Sequence, residues 1–184
     1  MHDLAILHRM IKEGAKVPLI DMHGKKSVVL SEPLYPKSSV TIAGIPDNAI
    51  VIKADAFKSP DTVFAGLYGE CKRADFVIVA DSGRKKSIVC IELKATKASE
   101  KEIIQQLSGA KCFILYCQEI GKSFCKQHDF LADYSFRFIS IGHTSISKRQ
   151  TRIEPTNGVH DLPERMLKIS SPHRLEFDHL AGRV

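Results

Sequence analysis

Two apolar runs, ADFVIVA at 74–80 and SIVCIELK at 87–94, stand on either side of the polar stretch DSGRKK. Runs of this length bounded by turn residues read as the two strands of a hairpin. Strands so apolar look buried, so the hairpin constrains the rest of the chain to supply the layers that cover it. Yet the same runs carry Asp75, Glu92 and Lys94. If the hairpin is symmetric about Gly83 and Arg84, Ala80 lies opposite Ser87 and Asp75 opposite Glu92. Directly opposed side chains have Cβ atoms about 4.5–5.5 Å apart, and like charges there destabilise the pair, so something cationic is expected between them. Lys94 follows Glu92 by two residues and therefore shares its face.

The elements after the hairpin are also legible. Ser99 and Glu102 form a Ser-x-x-Glu capping box. Ile103, Leu107, Ala110, Ile114 and Cys117 then continue an apolar stripe at helical spacing, and Gly121 suits a C-terminal cap. The expected helix runs from about 100 to 120, weakened by about 1 kcal/mol at Gly109 relative to alanine. FRFISIG at 136–142 is a strand apolar in both registers, as when both faces are covered. Strand, helix and strand make a β-α-β unit, which should be parallel. Upstream, residues 3–13 have helical periodicity with Gly14 as a stop, and 27–30, 39–45 and 48–54 are β-rich. Residues 55–70 fit a loop or a short helix, and RMLKIS at 165–170 fits a strand. The expected fold class is α/β: a mixed sheet with an antiparallel hairpin and a parallel β-α-β crossover, flanked by helices. Its 184 residues suit a single domain, 1–184, with a basic tail from about 150.

The net charge of +6, with 27 Lys and Arg, favours an anionic partner such as nucleic acid, against the alternative of a merely solvated basic surface. Five cysteines without C-x-x-C spacing suggest reduced thiols and a cytoplasmic location. Cys112, Cys117, Cys125 and His128 match no common zinc spacing. No signal-peptide core and no apolar run of membrane length is present, so no membrane is expected.

Two carboxylates suit a hard divalent cation such as Mg²⁺, and a lysine beside them can orient a bound water or offset phosphate charge. The plainer alternative is a salt bridge between Lys94 and Asp75, with Glu92 at a solvated strand end. The set Asp75, sixteen intervening residues, then Glu92-Leu93-Lys94, within CKRADFVIV…VCIELKAT and followed by IIQQL, resembles the PD-(D/E)XK nuclease superfamily, the restriction-endonuclease-like fold. The resemblance covers Asp75 to about Gln106 by motif and extends to about Gly142 by element order, with Ala74 in place of the name-giving proline. It implies that Asp75, Glu92 and the backbone carbonyl of Leu93 bind the metal, Mg²⁺ or Mn²⁺, and that Lys94 positions the attacking water. Gln106, bordering the apolar stripe, is the expected helix contributor, with Gln105 pointing toward solvent.

Glu70 and Glu13 are weaker candidates for an auxiliary acid, and both fit surface charges as well. Lys72 and Arg73 could contact phosphates; Arg84, Lys85 and Lys86 fit a solvated turn, and His143, His160, His173 and His179 fit the surface. The expected function is a metal-dependent endonuclease acting on phosphodiester bonds, with DNA as the expected substrate and a homodimer implied by resemblance. The rivals are a non-catalytic nuclease-like nucleic-acid-binding or regulatory protein, and a structural α/β domain whose trio is an ion-pair cluster.

Overall fold

A computed structural model describes residues 2–32, 35–95, 98–142, 159–170 and 172–182. Phe76–Asp81 (β5) and Lys86–Lys94 (β6) pair antiparallel, with Ala80 opposite Ser87 and Phe76 opposite Ile91. The turn is held by Asp81, whose Oδ1 accepts the Gly83 N–H at 2.8 Å, and by Ser82 and Lys85, which bond each other's backbone. One residue beyond Phe76–Ile91, the same register sets Asp75 against Glu92.

Glu100–Cys125 (α2) follows, with the Ser99 side chain capping the Glu102 N–H. It leads into Ser135–Gly142 (β7), which pairs parallel with β6. The crossover is thus as expected, but the helix runs past Gly121 and ends at Lys126 in a left-handed conformation. Gly121 serves packing instead: a Cβ there would lie 2.2 Å from the Phe130 ring. Gly109 likewise admits a neighbour, since its Cβ would lie 2.0 Å from the Lys72 carbonyl oxygen. The chain segment entering β5 therefore rests on α2 at Gly109, which places Asp75.

Asp3–Met10 (α1) is shorter than the helix predicted for 3–13, and Gly14 lies inside a separate 3-10 turn, Glu13–Ala15. Ala49–Lys53 (β4) joins the sheet beside β5, and Leu167–Ser170 (β8) joins it beside β7, giving the order β4-β5-β6-β7-β8. Ala54–Ala56 is a 3-10 turn, and the rest of 55–70 is loop and turn.

Of the expected flanking helices, α1 and α2 lie on one face. There they bury Leu4, Leu7, Leu107 and Ile114 against Ile50, Val77, Val79, Ile88 and Cys90. A second sheet covers the other face. It comprises Ile20–Met22 (β1), Lys25–Glu32 (β2), Tyr35–Ala43 (β3) and Arg174–Glu176 (β9), in the order β1-β2-β3-β9. Its Val28, Leu30 and Ile42 pack with Ile78, Val89, Ile91, Ile139 and Ile141. Alternate residues of β6 and β7 thus serve different layers, which explains why those strands are apolar in both registers.

The last part of the chain is not simply a tail. Residues 143–158, including His143, lie outside the described residues, but beyond them β8 extends the first sheet and β9 pairs parallel with β3. Phe177–Ala181 (α3) then packs beneath the second core. His160 is buried rather than exposed, with Nε2 2.8 Å from the Leu180 carbonyl. Among the described residues no helix is long and apolar enough to cross a membrane.

Candidate active site

The alternation of β5 and β6 decides which layer the charged residues face. Val77 and Val79, Ile88 and Cys90 point to the helix layer. Asp75, Glu92 and Lys94 lie in the same parity and so point there too. The parallel register continues the row: Glu92 stands beside Ser140 of β7, and Ser140 beside Lys168 of β8. Asp75, Glu92, Ser140 and Lys168 therefore cross four neighbouring strands, beneath the first turns of α2.

Asp75 precedes β5 by one residue, and its carboxylate takes over where the ladder stops. Oδ2 accepts the Leu93 N–H at 2.7 Å. A residue's N–H and C=O leave the same edge of a strand. The Leu93 carbonyl thus also opens toward Asp75 rather than into the β7 ladder.

Glu92 is only 1% exposed, and its Oε1 lies 2.9 Å from Lys94 Nζ. The other oxygen, Oε2, is buried without a hydrogen-bond partner. Burial, followed by the charge of Asp75, pushes the Glu92 carboxyl up to about 8, against the pull of Lys94 and a backbone hydrogen bond from Asp75. At Lys94 burial works against the charge, but the hydrogen bond and attraction of Glu92, with help from Glu102 and Asp75, leave the ammonium pKa raised. The two groups respond differently because Lys94, at 19% side-chain exposure, keeps access to water. One contact stabilises the ammonium without offsetting the burial of the carboxylate.

Gln106 is half-buried on α2, and its Oε1 is a second buried oxygen without a partner. It follows Glu102, whose charge Lys94 senses, by one helical turn on the same face. Gln105 does not point to solvent as predicted. Its Nε2 donates to the Tyr68 carbonyl at 3.1 Å and fastens the 57–73 loop to α2. Arg73 also serves that loop: its guanidinium lies 5.0 Å from the Phe57 ring centroid and donates to the Glu70 and Lys72 carbonyls.

The other candidates separate from this site. Glu70 accepts the N–H groups of Gly66 and Tyr68, and such backbone hydrogen bonds lower its pKa. Glu13 pairs with Lys16 on the surface. Lys85 donates to the Gly182 carbonyl and Lys86 lies 3.5 Å from Asp133, at the far end of the hairpin. Cys117 is buried while Cys112 and Cys125 are exposed, so they do not assemble. Three residues beside the site were not singled out by sequence: Ser140, Glu102 and Lys168. Only Glu102 carried a signal, as the capping-box glutamate. The others are placed by parallel register, which no local pattern encodes.

Among the described residues no group of three or more His, Cys, Asp or Glu could hold a metal ion. A cation here would rest on two carboxylates, the Leu93 carbonyl and water. That donor set fits Mg²⁺, which is usually held by one or two carboxylates and keeps several waters. The unpartnered Oε2 of Glu92 fits it as well. Comparison with protein-family models, curated proteins and solved structures finds no match to this chain.

Proposed function

We propose that this protein is a metal-dependent nuclease of restriction-endonuclease-like type, hydrolysing phosphodiester bonds in nucleic acid, with DNA as the expected substrate. The observation that carries the reading is the buried carboxylate Glu92, opposed to Asp75 and left with one oxygen unpartnered. A buried charge without full pairing is costly, so a domain gains nothing in stability from this arrangement. It becomes favourable once a divalent cation shares the two carboxylates.

Asp75, Glu92 and the Leu93 carbonyl would hold Mg²⁺ or Mn²⁺, which when bound would offset charge on the scissile phosphate and the leaving oxygen. Lys94 would hold the attacking water in line, being close enough to Glu92 to share its first layer of water and exposed enough to admit one. Gln106 Oε1 would accept a hydrogen bond from the same water layer. Cutting both strands of a duplex would call for two copies of the chain, an expectation that rests on the family resemblance.

A structural reading has two observations in its favour: Lys94 pairs with Glu92, and Asp75 accepts the Leu93 N–H. Incubation with supercoiled DNA, linear DNA and RNA in Mg²⁺ or Mn²⁺, against an EDTA control, separates the two. The nuclease reading expects metal-dependent cleavage that Glu92→Ala and Lys94→Ala each reduce by about 10²–10⁴-fold without loss of fold. Cleavage at wild-type rate by both variants would overturn it.

A further inference from the structure

Lysines and glutamates alternate around the entrance to the site. Lys94 is held by Glu92 at 2.9 Å. Lys168, at the β8 end of the strand row, is held by Glu100 Oε2 at 2.8 Å. Lys72, on the β5 side of α2, lies 3.7 Å from Glu102 Oε1. Both latter glutamates belong to the first turn of α2. All four side chains of these two pairs are substantially exposed, between 40% and 59%. Exposed pairs of this kind contribute about 0–1 kcal/mol. A stability role explains little, and the lysines can change partner at small cost.

We propose that Lys72 and Lys168 are backbone-phosphate contacts for a nucleic-acid strand crossing the site from the β5 side to the β8 side. Glu102 and Glu100 are place-holders that occupy the two ammonium groups until phosphates replace them. The inference rests on the nucleic-acid reading above and adds the path of the substrate. From β5 to β8 are three strand spacings, about 14–15 Å. At about 3.4 Å of helix axis per nucleotide of one strand, that spans about four nucleotides of a duplex lying along the row. The row between the ends passes over Glu92 and Ser140, so a strand held at both lysines lies across the carboxylate pair.

The place-holder role gives substitutions of opposite sign. Binding of fluorescently labelled DNA, single-stranded and duplex, is measured by anisotropy in EDTA over a series of salt concentrations, so that cleavage plays no part. Lys168→Ala and Lys72→Ala should each weaken binding and flatten the plot of log K against log salt by about 0.7 for single strands or 0.9 for duplex. Glu100→Gln should tighten binding, and Lys168→Ala in the same chain should cancel that gain. An unchanged slope in Lys168→Ala, or weaker binding by Glu100→Gln, would overturn the proposal. A wild-type protein that shows these effects but cuts nothing keeps the path and removes the hydrolytic reading. A wild-type protein that binds no DNA at low salt removes both.

Discussion

The two ends of the β5–β6 hairpin treat charge in opposite ways. At the tip, Asp81 accepts from the Gly83 N–H and sits 3.2 Å from His2 Nε2, Lys86 pairs with Asp133, and Lys85 donates to Gly182. The buried group left over there is the Tyr134 hydroxyl, which is neutral and kept so by burial and by Asp81, Asp3 and Asp133, all of which raise its pKa. At the base, the group left over is a carboxylate oxygen, Glu92 Oε2, with a second carboxylate opposite. An unpartnered buried polar group costs about 1–3 kcal/mol, and more once charged, as Glu92 becomes when the pH rises past about 8. One hairpin thus has a tip whose carboxylates are paired and a base that buries a carboxyl oxygen without a hydrogen-bond partner.

A first test of this contrast is Gly109→Ala. The new methyl would meet the Lys72 carbonyl, displacing the segment that delivers Asp75. Denaturant melts should show a loss of about 1–3 kcal/mol. Next is the pH dependence at the two ends. Glu92 titrates near 8 when folded, against about 4.3 for an unfolded glutamate. Between those values the folded state binds more protons, so metal-free stability falls as pH rises through the window, by at most about 1.4 kcal/mol per pH unit. Glu92→Gln should remove that slope and melt progressively above wild type from pH 5 to pH 8. Asp81→Asn at the tip should instead lower stability mildly, by about 1 kcal/mol or less at neutral pH, through the loss of its turn contact. Equal behaviour of the two variants would erase the distinction between the ends.

Much of the site was readable because it depends on local chemistry. The polar turn and its symmetry set the hairpin register, and so put Asp75 against Glu92; the Ser99 capping box opened α2 where expected. What escaped depends on distant pairing. β3 meets β9 through Thr41 and Arg174, far apart in sequence, and so the second sheet was invisible as a layer although two of its strands were expected. Ser140 and Lys168 joined the row by parallel register alone. Gly121 was misread as a stop because its role, room for Phe130, is set by packing.

The central claim, that Asp75 and Glu92 share a divalent cation, is tested most directly by thermal melting of wild type and Glu92→Gln with and without millimolar Mn²⁺ or Mg²⁺. A cation bound only by the folded state at about 100 times its Kd adds about 2.7 kcal/mol. The wild-type midpoint should therefore rise while that of Glu92→Gln stays level. A flat wild-type midpoint, or the same rise in both proteins, would contradict the account.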